Sequence, residues 1–121
     1  MSENADPHDE TATLVKIKDL AARDEVRLSQ HARIEMSDEA ITTEEVLDSI
    51  HDGWILENYP EHQRGPCCLV YGRTIEGRDL HVVVTTGLQR LLIITVYEPR
   101  LPWWKTPTSR AAEEHRGGES T

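Results

Sequence analysis

The sequence predicts an α+β domain, with about three helices in the first half packed on an antiparallel sheet of about four strands in the second. Up to Gly53 the apolar residues recur at helical spacing and the breaks between them carry capping residues. From Trp54 onward they gather in short runs rich in Val, Ile, Leu and Thr, punctuated by Gly and Pro. A chain of 121 residues at 37% apolar can bury one modest core, so a single domain is expected.

Leu14, Ile17, Leu20 and Ala21 form one stripe and predict a first helix over about Leu14 to Ala22. Val26-Arg27-Leu28 reads as a brief link. Ser29 is a good N-cap for a second helix running to about Met36. Thr42 with Glu45 three residues on makes a capping box for a third, whose buried stripe is Val46, Leu47 and Ile50 and whose end is Gly53. Strands are expected at Trp54 to Tyr59, Cys67 to Gly72, Asp79 to Thr85 and Leu91 to Tyr97. The last two are apolar on both faces and suit the middle of the sheet, with turns at Glu76-Gly77 and Gly87-Leu88-Gln89. Pro99, Pro102 and Pro107 argue against regular structure beyond, where Trp103-Trp104 is either a clasp folded back on the sheet or an exposed contact; the clasp is favoured, since two adjacent exposed Trp are costly for a monomer. Met1 to Thr13 and Ser109 to Thr121 are polar without periodicity and are expected to be disordered tails around a domain of residues 14–108.

The net charge is −9, and even residues 14–108 carry fifteen acids against eleven bases. That speaks against a broad basic face for DNA or RNA and leaves room only for a small basic cleft. No apolar run approaches a membrane span and the acidic N-terminus lacks the order of a signal peptide, so a soluble cytoplasmic protein is expected. The two cysteines are adjacent, Cys67-Cys68, where side chains on a strand point to opposite faces; they are read as reduced thiols.

Few residues could carry chemistry. His31 falls in the first turn of the second helix, where the helix dipole disfavours a charged imidazole; it is a candidate general base or a surface histidine. His81 lies within a central strand on the face of Val83 and Thr85 and needs either a cleft or a backbone partner. Tyr97 ends the last strand, on the face assigned by alternation to Thr95 and Ile93. Arg64 enters the sheet in a loop, and Arg73 and Arg78 flank a turn; each could grip a phosphate or simply be solvated. His62, Cys67 and Cys68 lack the spacing of a metal site, and no Gly-rich phosphate loop occurs, so no metal and no cofactor are expected.

Taken in order, Ser29-Gln30-His31-Ala32, Met36, Ile41-Thr42, Glu45-Val46, Gly53, Tyr59-Pro60, Arg64-Gly65-Pro66, Leu69-Val70-Tyr71-Gly72, Leu80-His81-Val82-Val83 and Ile94-Thr95-Val96-Tyr97-Glu98-Pro99 resemble the family known as domain of unknown function 4258 (DUF4258), over about Val26 to Pro99. That family is similar in turn to the small RelE-like and MqsR-like toxins, which pack helices on a twisted antiparallel sheet, cut RNA without metal and work beside an antitoxin that covers the sheet. The resemblance implies catalytic roles for His31, His81 and Tyr97, with Arg64 or Arg73 holding the phosphate while a ribose 2′-OH attacks it. It also exposes a departure: where the family usually carries Arg, this chain has Glu35 and Glu39, two negative charges that would repel a phosphate backbone. Two functions follow, a metal-independent endoribonuclease of a toxin–antitoxin system, weakened by Glu35 and Glu39, or a catalytically silent protein-binding module of the same fold.

Overall fold

The computed structural model describes residues 6–87 and 89–111. Three helices, α1 (Glu10–Ala22), α2 (Gln30–Glu39) and α3 (Thr43–Asp52), pack on one face of a five-stranded sheet. Its strands are β1 (Val26–Leu28), β2 (Trp54–Tyr59), β3 (Cys67–Arg73), β4 (Asp79–Thr85) and β5 (Leu91–Tyr97), in the order β1-β5-β4-β3-β2. A separate hairpin of β6 (Trp104–Thr106) and β7 (Ser109–Arg110) lies over the other face. The chain is thus α+β, but the sheet is mixed rather than purely antiparallel. The pairs β2–β3, β3–β4 and β4–β5 are antiparallel, whereas Val26-Arg27-Leu28, read as a link, pairs parallel to Leu91, Leu92 and Ile93. Three residues are too few to show a period; backbone pairing with a strand 65 positions away makes them one.

The helix signals act locally as written. Ser29 Oγ accepts the Ala32 N–H at 3.0 Å, and the Thr42–Glu45 box closes in both directions at 2.9 and 3.0 Å. The first helix starts earlier than its apolar stripe, because Asp9 caps it through the Ala12 N–H and Thr13 is buried as the first rung of the row Thr13, Ile17, Ala21. Helix α1 thus begins inside the segment read as a tail; Met1 to Ala5 lie outside the described residues, as do positions 112–121 of the expected C-terminal tail. Ser109 and Arg110 of that tail pair with β6.

The core is a sandwich of Ile17, Leu20, Met36, Val46 and Ile50 from the helices against Val70, Leu80, Val82, Val84, Ile93 and Val96 from the strands. Helix α3 comes so close to β3 that a Cβ on Gly72 would stand 1.8 Å from the Ser49 carbonyl oxygen. Cys68 is fully buried in this core and Cys67 is buried outside it; both are free, and burial pushes the Cys68 thiol up to about 12.

Two bulges set which side chains reach the far face. Between Ile55 and Glu57 the register with β3 shifts by one residue, so Glu57 joins Trp54 on the face away from the helices. A second shift, at Ile94, puts Ile93 and Val96 both into the core and leaves Thr95 and Tyr97 on the far face. Simple alternation, which grouped Ile93 with Tyr97, is overturned there.

The edge of β5 is finished in an unusual way. Strand β1 covers it only as far as Ile93; beyond that Glu35 Oε1 accepts the Val96 N–H at 2.9 Å and Glu39 Oε1 the Glu98 N–H at 3.1 Å. Two carboxylates one helical turn apart thus act as a surrogate strand. Arg78, at the β3–β4 turn, is no solvated charge: it bonds the Glu39 and Ala40 carbonyls at the C-terminus of α2 and pairs with Glu45 and Glu98.

Candidate functional site

The face of the sheet away from the helices carries a row of four rings in register. Trp54 (β2) pairs with Tyr71 (β3), Tyr71 with His81 (β4), and His81 with Tyr97 (β5). Neighbouring ring centroids lie 5.0, 5.9 and 5.2 Å apart, each pair edge to face. His81 sits in the middle of the row and is fully buried. Residues 100–111 cross above it as a strap. Trp104 is 3% exposed and stands edge-on to the imidazole at 4.4 Å, so it is the clasp that the sequence suggests, while its neighbour Trp103 is exposed.

The imidazole is saturated by its surroundings. Its Nε2 lies 2.7 Å from the Pro107 carbonyl oxygen, which can only accept, so Nε2 carries the proton; Nδ1 then accepts from the Tyr97 hydroxyl at 3.1 Å. Burial pulls the His81 pKa below its usual value, and burial raises that of Tyr97. The strap is fixed further along by Arg110, whose guanidinium bonds both Glu57 carboxylate oxygens at 2.7 Å and lies over the Trp104 ring at 4.6 Å. Arg110 holds Glu57 below the usual carboxylate range; Tyr59, beside Glu57, is pushed up to about 12, chiefly by burial.

Between α2 and the strap a cleft of about 540 Å³ opens along the end of β5. Thr95 and Tyr97 lie in it, Glu35, Glu39 and Glu98 bring carboxylates, Arg100 and Arg110 bring guanidinium groups, and Leu101 and Trp103 form an apolar rim. Most of these charges are already engaged: Glu35 and Glu39 with the β5 edge, Glu98 with Arg78 and Arg100. Arg78 beside it lowers the Glu98 pKa.

The residues singled out from the sequence are thus partly assembled. His81 and Tyr97 touch. His31 is exposed on α2 with Nε2 3.3 Å from Glu35, and it is not among the residues lining the cleft. Arg64 lies exposed in the β2–β3 loop, at the opposite end of β3 from Arg73. Arg73 is held at the β3–β4 turn by Asp79 at 3.2 Å and the Gly77 carbonyl at 3.1 Å. Neither arginine lines the cleft. Among the described residues no group of three or more His, Cys, Asp or Glu could hold a metal ion, and no helix is long and apolar enough to cross a membrane.

Two residues of the site escaped sequence reasoning: Arg110 fell in a polar tail, and Glu57 faces the strap only because of the bulge in its strand. An acid within the expected strand was the available signal, since a carboxylate that becomes buried needs a cation partner.

No curated protein and no solved structure matches the chain. The model of one family, described as domain of unknown function (DUF4258), matches residues 28–98, from the end of β1 to the residue after β5, so that the helix α2, the helix α3, the ring row and the carboxylates of the β5 edge all fall within it. The chain belongs to the DUF4258 family.

Proposed function

We propose that this chain is a catalytically silent protein-binding module of its family, receiving a partner, in the manner of an antitoxin, in the cleft between α2 and the strap. His81 carries the reading. With the imidazole fully buried and both nitrogens bonded inside the protein, it has neither a proton nor a lone pair to exchange with a substrate. Its supposed partner His31 does not line the cleft and is paired with Glu35, which does. Three carboxylates against two guanidinium groups oppose a phosphate backbone and suit a protein segment that brings a basic side chain, with Leu101 and Trp103 offering it apolar contact. The setting proposed is the cytoplasm, with no DNA, metal or cofactor involved.

A second reading is a metal-independent endoribonuclease of the RelE-like or MqsR-like kind. One observation favours it: His81 and Tyr97 meet on the sheet face that the resemblance leads one to inspect. A ribose 2′-OH would attack the adjacent phosphate, the two histidines taking and giving the proton, with Arg64 or Arg73 steadying the charge. That chemistry requires the strap to lift and His31 to reach the same phosphate as His81.

Incubating the full chain with RNA in a chelator separates the two. No cleavage above buffer is expected, and none of His81→Ala, His31→Ala or Tyr97→Phe should alter the result. Metal-free cleavage that falls by about 10²-fold on losing either histidine, the scale of one general acid or base, would overturn the silent module in favour of the nuclease.

A further inference from the structure

We infer that residues 100–111 form a releasable cover, a strap that holds the His81–Tyr97 pair shut and can open without unfolding the sheet beneath it. The way the segment is attached points to this. Among the described residues its backbone hydrogen bonds close on itself: Trp103 and Trp104 N–H to the Arg100 carbonyl at 3.2 and 3.0 Å, Ala111 N–H to the Trp103 carbonyl at 3.0 Å, and the β6–β7 pairing of Trp104 with Arg110 and Thr106 with Ser109. None of these enters the five-stranded ladder, whose strand order is complete without the hairpin.

Side chains fasten the strap, and those over the ring row converge on one patch of sheet, while Arg100 at its start pairs with Glu39 and Glu98. Trp104 lies on His81, Arg110 forks onto Glu57 while stacking over Trp104, and the His81 imidazole donates to Pro107. Releasing these contacts leaves every strand pairing of the sheet and the whole helix-side core in place. Segments held by few buried contacts and no shared ladder open at lower free energy than the domain unfolds. Opening frees the His81 Nε2 from Pro107 and uncovers the imidazole, while Nδ1 stays bonded to the Tyr97 hydroxyl, since both residues belong to the sheet. The closed chain therefore presents the cleft beside the strap, and the open chain presents the ring row itself.

This inference concerns the sheet face of the proposed function, but it rests on attachment geometry, and its test reads exposure of His81 rather than binding or cleavage. Full-length protein is treated with diethyl pyrocarbonate, and carbethoxylation of His81 is followed by peptide mass spectrometry against His31, which is exposed and serves as the internal standard. Arg110→Ala and Trp104→Ala should each raise the His81 to His31 rate ratio by about tenfold or more, since each removes a fastening, with the urea midpoint of the sheet by far-UV circular dichroism kept. Val15→Ala, exposed on α1 and away from the strap, should leave the ratio unchanged. An unchanged ratio in folded Arg110→Ala and Trp104→Ala overturns the inference. Should either variant fail to fold, wild type decides: in urea below the unfolding transition His81 labelling must depend on denaturant more weakly than global unfolding does, and equal dependence means that no separate opening exists. RNA cleavage by a folded, open Arg110→Ala chain would sink the silent module while supporting the strap.

Discussion

Glu35 tests whether the acidic residues on α2 belong to the scaffold or merely mark a lost phosphate site. Its Oε1 accepts the Val96 N–H at 2.9 Å, and its side chain is 23% exposed, so water reaches this edge only in part. An Arg at this position has no acceptor atom. Glu35→Arg therefore leaves the Val96 N–H without its partner at the point where β1 has already ended. A hydrogen bond to a charged group contributes about 1.5–3 kcal/mol, and partial access of water argues for the lower half, about 1.5–2 kcal/mol. For a domain of this size each kcal/mol is worth roughly 4–8 °C in Tm, so a drop on the order of 10 °C is expected. Glu35→Gln keeps an acceptor at the same reach and should cost less than about 1 kcal/mol, whereas Glu35→Ala should fall near Glu35→Arg. Urea unfolding at neutral pH followed by far-UV circular dichroism, with thermal melts alongside, reads all three. If the Arg variant equals wild type, or if Gln is as damaging as Arg, the carboxylate is not holding the strand edge and the argument fails. The outcome also bears on activity: a destabilised Glu35→Arg chain that gains no RNA affinity would show that restoring positive charge does not restore a nucleic-acid surface here.

Gly72→Ala should be among the most damaging small changes in the chain, because the new methyl would sit 1.8 Å from the Ser49 carbonyl oxygen, backbone that α3 cannot move without leaving β3. A loss of about 3 kcal/mol or more in urea unfolding is expected, at or beyond the upper end of overpacking costs, and a loss below about 1 kcal/mol would contradict the packing. Acidification should loosen the strap in two stages. His81 has its pKa lowered in the closed form, so the open form takes up a proton first and closure weakens as pH falls below the usual value of 6.5. Glu57 is also lowered, by Arg110, so its contribution is complete above the ordinary carboxylate value of 4.5 and is lost as pH falls below it. His81 labelling relative to His31, each corrected for its own protonation, should rise across both windows; a ratio flat from pH 7.5 to 4 would refute the linkage.

Local chemistry and its absence explain how far the sequence could be read. Helix starts at Ser29 and Thr42 were legible because a cap needs only its own side chain and a backbone three residues on. The span of β4 and the facing of His81 away from Leu80, Val82 and Val84 were legible because alternation needs only neighbours. His81 and Tyr97 were each legible as a polar residue in an apolar strand, whereas the resemblance paired His81 with His31 and not with Tyr97.

What tertiary structure alone decided lies wherever a residue's role depends on a distant partner. Val26-Arg27-Leu28 is a strand because Leu91 to Ile93 lies beside it, and nothing within three residues could say so. The bulges at β2 and β5 each insert one residue, and since side chains alternate with period two, one residue reverses every facing that follows; that is how Glu57 reached the strap and Ile93 the core. Glu35 and Glu39, read from the sequence as repulsive charge beside a cleft, finish the edge of β5, because backbone N–H groups there have no strand to meet and a carboxylate is an acceptor wherever the fold brings it. Arg110, in a segment without periodicity, was invisible until the fold set Glu57 and the Trp104 ring beneath it: a guanidinium finds its place by charge and contact in three dimensions, which no pattern along the chain encodes.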